Sequence, residues 1–470
     1  MSEGGDVHDL ISPVSGEVLE QVRLASVEEI DARIRVLAAR SCAARPEEIF
    51  SFFRRLKEEL VARRGQLVRV TVAETGFIQR DAEETVDAAI DFLGSFETYA
   101  AEQPLHRRVF QHSYSSGSHR RMRLTSRPYG LVAALVPQNA SLTLGITIIA
   151  TALFAGSRVL LRPSLQTACT GALLADAVHD SRPPEDRVEI VNCLAGTFLT
   201  ACCASEYVDV IHYIGSNQHA AAVLNQCFHA GKLCILDGQG NGILYVDGSY
   251  PSGAAVRLIT EAATRFNGET CTSVNGVLIE DKAYPALKPA LVAAFEALAL
   301  GDPFQAGTQV GPLFSERQAD GLRQLLADSR TRNLAGGQNM GAYFRPSVIE
   351  GVGPGSVLVR EGLFGPAVWI QPVRWEEVPS WLRCNRFPLS DTVLSTRPEV
   401  ISEFTRISRA PRVCVNADPS VESMFEPWGG YPPGSLNPVS PWVEKYQQGY
   451  QLDGSLDEIH IALNPSESVR

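Results

Sequence analysis

The sequence has no apolar run long enough to span a bilayer, no paired-cysteine metal spacing, no G-x-G-x-x-G fingerprint and no excess of basic charge. Each absence excludes a class. A spanning helix needs about 20 consecutive apolar residues, and the most apolar window, 141–160, is broken by Gly145, Gly156 and Arg158. It reads as a buried helix followed by a strand. The start, Met1-Ser2-Glu3-Gly4-Gly5-Asp6, has neither the basic nor the apolar region of a secretory signal. The ten cysteines form no C-x-x-C, and Cys202 and Cys203 are adjacent. Most lie in apolar runs, as reduced packing cysteines do, so a reducing, cytoplasmic location is expected and a metal is not. A net charge of −11 argues against a nucleic-acid groove. The one basic cluster, His106, Arg107, Arg108, His119, Arg120, Arg121, Arg123 and Arg127, reads as a solvated or subunit-facing hairpin, because only Phe110 and Tyr114 could stack on bases.

What remains is an ordinary globular composition, with 45% apolar and 20% charged residues in 470, enough for two or three domains. Residues 8–24 read as two short strands around a Pro13/Gly16 turn. Ser26 with Glu29 has the spacing of a capping box, and helices are predicted over 26–43, 46–64 and 65–100, with Glu74-Thr75-Gly76 read as a helix end. From Leu131 onward, strands and helices alternate: 131–136, 159–161, 188–191, 208–214 and 233–236 as strands, with helices between them. Repeated β-α units imply a doubly wound parallel sheet whose ligands sit beyond the carboxyl ends of the strands. A second α/β pattern runs from Val274 to about Met424, with strands near 277–279, 367–372, 392–395 and 413–416. The tail alternates apolar and polar residues over Ile459–Leu463, the pattern of an exposed strand needing a partner.

One stretch organises the rest: Arg265-Phe266-Asn267-Gly268-Glu269-Thr270-Cys271-Thr272-Ser273, followed by the apolar run Val277-Leu278-Ile279. It presents a thiol on a loop just before a strand, where a cysteine can be reached and can attack a carbonyl carbon as its thiolate. A cysteine that merely packs is the other reading of these residues alone.

Asn267-Gly268-Glu269-Thr270-Cys271 resembles the nucleophile motif of the aldehyde dehydrogenase superfamily, Asn-x-Gly-Gln-x-Cys, with Asn and Gly adjacent and Glu269 in place of Gln. Further family motifs recur in the family's order between about residues 10 and 446. Pro137-Gln138-Asn139 is similar to Pro-Trp-Asn, Arg162-Pro163-Ser164 to Lys-Pro-Ser, Tyr213-Ile214-Gly215-Ser216 to Phe-Thr-Gly-Ser, and Leu363-Phe364-Gly365-Pro366 to Ile-Phe-Gly-Pro. Gly301-Asp302-Pro303, Val310-Gly311-Pro312-Leu313 and Pro427-Trp428-Gly429-Gly430 complete the set.

The resemblance implies NAD(P)-dependent oxidation of an aldehyde to an acid through a thiohemiacetal and a thioester on Cys271. It implies an oxyanion held by the Asn139 amide and the Cys271 N–H, and a cofactor, NADP or NAD, bound by Val136, Pro137, Gln138, Arg162, Pro163, Ser164, Gly215, Ser216 and Phe364. It implies a dinucleotide-binding domain over 1–104 and 127–236, a catalytic domain over 237–430, and a β oligomerisation arm, 105–126 with 446–470, joining copies into a homodimer or homotetramer. Departures matter. Asp237 lies where the family has the glutamate that serves as general base, 34 positions before Cys271. It reads equally as a shorter base or as a turn-capping aspartate. Arg162 replaces a lysine, and Leu165 a glutamate, near the adenosine ribose; both changes suit a 2′-phosphate. Gly362 replaces the nicotinamide-ribose glutamate, with Glu361 one residue early, and Gly238-x-Gly240-x-Gly242 reads as a flexible turn. Two alternatives stay open: a reaction in which coenzyme A or a carrier protein exchanges with the thioester, making the protein an acyl-thioester reductase or acylating dehydrogenase, and a catalytically silent scaffold.

Overall fold

The computed structural model describes residues 6–42, 44–102, 107–113, 119–327 and 331–453. The chain opens with an antiparallel pair, β1 (Val7–Ile11) and β2 (Val18–Arg23). Ser26 then caps α1 (Val27–Ala38), its hydroxyl accepting from the Glu29 amide while the Glu29 carboxylate accepts from the Ser26 amide. The predicted capping box is present, satisfying two donors that a helix start leaves free. After α2 (Pro46–Ala62), the stretch read as one interrupted segment is two helices, α3 (Arg64–Thr75) and α4 (Gln79–Glu102). They part at Gly76, which adopts φ 72°. A Cβ there would lie 2.4 Å from the Pro312 carbonyl oxygen, so only glycine fits.

A hairpin of β3 (Arg107–Ser113) and β4 (His119–Pro128) leads into the alternating region. There β5 (Leu131–Leu135), α5 (Ser141–Ala155), β6 (Arg158–Arg162), α6 (Ala168–Ser181), β7 (Val188–Ile190), α7 (Ala195–Ala204), β8 (Val210–Ile214), α8 (Asn217–His229) and β9 (Leu233–Asp237) build a five-stranded parallel sheet in the order β7-β6-β5-β8-β9. The direction of winding reverses between β5 and β8, which opens a crevice at the strand ends. Ile149, Phe53 and Phe96 pack in the core on one side of this sheet, and Ile30, Phe198 and Val223 in the core on the other. Burial on both faces explains why the strands are continuous apolar runs. Segment 138–155 is long and apolar enough to cross a membrane, but it is mostly buried inside the protein.

The second sheet begins immediately. It contains β10 (Gly242–Val246), followed by α9 (Ser252–Thr264), then β11 (Val274–Glu280) and β12 (Arg332–Ala335). A small hairpin, β13 (Asn339–Met340) with β14 (Tyr343–Phe344), precedes β15 (Ser347–Glu350), β16 (Ala367–Val373), β17 (Ser390–Leu394) and β18 (Arg412–Val415). The order is β12-β15-β16-β11-β10-β17-β18, with only β12 antiparallel to its neighbour. The architecture is thus α/β with two wound sheets and a small β arm. In that arm β19 (Gln447–Asp453) pairs with β4. The alternating segment 459–463 lies outside the described residues.

The glycine run read as a flexible turn is a packing device instead. A Cβ on Gly240 would lie 2.3 Å from the Cys271 carbonyl oxygen, and one on Gly242 2.5 Å from that of Ser273. Glycine lets β10, a strand the sequence pattern did not reveal, run against the loop carrying Cys271 and pair with β11.

Candidate active site

The loop carrying Cys271 is built before it is charged. At the end of α9 the chain makes a tight turn over Arg265–Gly268, in which Phe266, Asn267 and Gly268 take φ 51°, 55° and 68°. Left-handed backbone costs about 1–3 kcal/mol per non-glycine residue, and the Asn267 side chain offsets it. Its amide nitrogen donates to the Gly76 and Pro312 carbonyls at 3.0 and 2.9 Å, and its oxygen accepts from the Gly311 amide at 2.9 Å. The Phe266 amide donates to Asp81, and Arg265 pairs with Glu84, both on α4. Two residues past this anchor, Glu269 is fully buried; its Oε1 accepts from the Phe314 amide and the Gln318 side chain, while Oε2 has no partner. Burial raises its pKa well above the ordinary carboxyl value, so it is held as the neutral acid and presents an O–H where the related motif has an amide.

Cys271 opens onto a cavity of about 790 Å³ between the two sheets. Its walls come from the carboxyl ends of the first sheet's strands: Val136, Pro137, Gln138 and Asn139 after β5, Arg162 and Ser164 after β6, Gly215 and Ser216 after β8, and Asp237 ending β9. Phe364 closes the wall from the second sheet. The structure thus gathers all the expected site residues except Pro163, which packs under the cavity against Gly171. The sequence reading missed Glu422, Met424, Trp428 and Trp442, which line the same cavity from the C-terminal part of the chain.

Individual side chains refine the expectations. The Gly215 amide donates to the Asp237 carbonyl at 3.0 Å, and the Ser216 hydroxyl caps α8 through the Gln218 amide. Arg162 is largely buried, donates through Nε to the Cys193 carbonyl at 3.0 Å, and has no carboxylate partner among the described residues. Burial lowers its pKa, the signature of a cation kept out of water. Gly362 sits at φ 83° with Asn275 and Asn241 where a Cβ would go, so no glutamate fits there. Glu361 does not substitute for one, because it is exposed and ion-paired with Arg386.

Asp237 is buried in a polar network. Its Oδ2 meets His212 Nε2 at 3.0 Å and accepts from Asn437 Nδ2 at 2.7 Å, and its Oδ1 accepts from the Ser435 hydroxyl at 3.2 Å. His212 Nδ1 continues to the Tyr446 hydroxyl at 2.8 Å, and Lys445 Nζ donates to Asn437 Oδ1 at 2.7 Å. The Cys271 thiol is pushed up by its burial and then by the charges of Glu422 and Asp237, with Arg412 opposing weakly. It rests as the neutral thiol, so attack on a carbonyl requires a proton acceptor within the cavity.

A family model for the aldehyde dehydrogenase family matches residues 1–437. The chain is similar to the benzaldehyde dehydrogenase [NAD(+)] of Pseudomonas putida, at 25% identity over 441 residues, covering 91% of this chain and 88% of that one. It is also similar to the D-glyceraldehyde dehydrogenase (NADP(+)) of Picrophilus torridus, at 23% identity, covering 88% and 86%. Among solved structures, an NAD-dependent aldehyde dehydrogenase from Sinorhizobium meliloti superposes with TM-score 0.87 at 21% identity over 98% of this chain and 94% of that one. A glyceraldehyde-3-phosphate dehydrogenase from Methanocaldococcus jannaschii, complexed with NADP, gives TM-score 0.85 at 19% identity over 97% and 100%.

Two measurements check the electrostatics. With the Cys271 pKa above the ordinary thiol value of about 8.5, its iodoacetamide alkylation rate should climb about tenfold per pH unit from 6 to 8.5 without a plateau. A plateau below pH 8 would show a preformed thiolate. For Glu269 the folded state binds a proton that the unfolded state releases above its own pKa near 4.3, so stability is lost as pH rises from there toward the folded pKa. Glu269→Gln should therefore raise Tm at pH 8 by at least about 2 °C, on the order of 1 kcal/mol, and the gain should shrink at pH 5.

Proposed function

The chain belongs to the aldehyde dehydrogenase family, and on that premise we propose that it oxidises an aldehyde to a carboxylic acid through a thioester on Cys271, using NADP or NAD. The observation that carries this reading is the meeting of Cys271 and Asn139 in one cavity with the strand ends of the first sheet. Cys271 sulfur adds to the aldehyde carbon, its proton passing to solvent in the cavity. The Asn139 amide and the Cys271 N–H hold the oxyanion that forms, a contribution of roughly 10²–10³ in rate for one such donor. When bound, the dinucleotide supplies the hydride acceptor for the aldehyde carbon. An acyl group is left on sulfur.

The residues at the far end of the cavity fit a dinucleotide. Arg162, a buried cation without a carboxylate partner among the described residues, suits a 2′-phosphate, and Leu165 presents no carboxylate to repel one. Val136, Pro137, Gln138, Ser164, Ser216 and Phe364 would line the remainder, with Pro163 supporting the turn from below. Residues 1–104 and 127–236 then serve as the cofactor domain and 237–430 as the catalytic domain. The arm of 105–126 and 446–470 would join copies into a dimer or tetramer, since β3 and β19 form the two edges of its sheet and exposed edges call for a partner.

One observation keeps a second reading in view. The Asp237 carboxylate is fully engaged by His212, Asn437 and Ser435, which favours release of the acyl group by a thiol such as coenzyme A or a carrier protein unless another base acts on water.

Cys271→Ala should reduce aldehyde-dependent formation of NAD(P)H by at least about 10³-fold while shifting Tm by less than about 2 °C. Unchanged turnover would rule out the mechanism. The charges acting on Cys271 are mainly acidic, Glu422 and Asp237 outweighing Arg412. A substrate with its own carboxylate should therefore be disfavoured. We expect kcat/KM for benzaldehyde to exceed that for succinate semialdehyde by at least about tenfold, or about 1.4 kcal/mol; the opposite order would refute this account of the pocket.

A further inference from the structure

Resting on the reading of Cys271 as an acyl carrier, we propose that Glu422, on the loop after β18, is the general base that activates water for hydrolysis of the Cys271 thioester. Three observations converge on it. Glu422 lines the cavity with Cys271 and Thr272, and its charge is the strongest acting on the Cys271 thiol. Its Oε1 is shielded from solvent and has no hydrogen-bond partner, so a lone pair is available within the cavity. Asp237, by contrast, has both oxygens engaged by Ser435, Asn437 and His212, so an attacking water would have to compete with three protein partners for them.

The loop is held so that Glu422 keeps its place. Arg412 on β18 donates to the Pro419 carbonyl at 2.7 Å and the Val421 carbonyl at 3.0 Å, and pairs with Glu426 at 3.0 Å. One guanidinium thereby braces the chain on both sides of residue 422. The charged groups acting on Glu422 are Arg412, which favours the carboxylate, and Glu426 and Asp418, which oppose it; burial outweighs all of them and brings its pKa to about 7. A base poised there accepts a proton at neutral pH and can return it.

The step balances without an external reagent. Water oxygen bonds to the acyl carbon as Glu422 takes a water proton. The C–S bond then breaks with its electron pair moving to sulfur, Glu422 returns the proton to Cys271, and the carboxylic acid leaves. No electrons are transferred in this step. Asp237 becomes a positioning residue that ties β9 to the C-terminal segment through His212 and Asn437.

The test uses the full-length protein, benzaldehyde and NAD+ or NADP+. Glu422→Gln should form one equivalent of reduced cofactor per Cys271 and then stall, with steady-state turnover at least about 100-fold below the unsubstituted enzyme. The intact mass should show a benzoyl adduct on Cys271. Adding 2-mercaptoethanol after the stall should release the adduct as its thioester, and Glu422→Asp should retain part of the turnover. The fall in kcat below about pH 7 in the unsubstituted enzyme should vanish from the residual rate of the glutamine variant. The single equivalent also reports that the variant is folded. Glu422→Gln turnover within threefold of the unsubstituted enzyme would overturn the proposal, as would loss of the first equivalent along with turnover. If the unsubstituted enzyme forms no reduced cofactor with any aldehyde, the broader reading fails, and this one with it.

Discussion

The side chain of Asn267 is the constraint on which the site depends. It bonds the end of α3, through Gly76, to the Gly311-Pro312 segment of the second half of the chain, and it does so from inside the loop that carries Cys271. This bonding holds the left-handed residues at 266–268 and so aims Cys271 toward the crevice between β5 and β8. The glycines crowd around the same point: Gly268 against Gly365, Gly240 against Cys271, Gly311 against Gly76. The position of Cys271 is thus the result of close backbone packing, fixed with the rigidity of a core.

Most of the fold was legible because it rests on local rules. The Ser26/Glu29 box, the helical spacing in α2 and the apolar strands of the first sheet each announce themselves over a few residues. The strand β10 did not, because Gly242 begins it and the glycines before it mimic a turn, while their cause, the backbone of 271–273, is 30 residues away. The short β12, β13, β14 and β15 carry too little pattern over two to four residues each to be told from loop. Of the candidate site, Cys271, Asn139, Arg162 and Phe364 were legible through motifs. The partners of Asp237 at 435 and 437 lie some 200 residues downstream, and nothing in their local sequence announces them. Glu422 sits in an irregular segment whose only signal is its position shortly after a strand's carboxyl end, shared by every residue of that loop.

Two carboxyl groups near the thiol show how surroundings divide labour between chemically similar groups. Glu269 has no charge nearby to stabilise an anion and is kept protonated, so it behaves as a filler with a hydrogen to donate. Glu422 is half-buried and watched by Arg412, and sits near the middle of the physiological range. Departures from a family pattern are therefore best judged by the partners that surround the new residue: Asp237 is engaged by Ser435, Asn437 and His212, and Glu269 by Phe314 and Gln318.

A short turn at Trp442–Tyr446 follows the whole second sheet in the chain, yet Trp442, Val443 and Tyr446 belong to the core of the first sheet. Tyr446 also completes the polar chain through His212 to Asp237 in that sheet's interior. For a chain made from its amino end, this means that the first sheet, complete in its strands by residue 237, waits with an unfilled core and unmatched buried polar groups until residues 442–446 emerge. The first sheet is sealed from beyond the second one, and a ribosome that stops before residue 442 leaves it open.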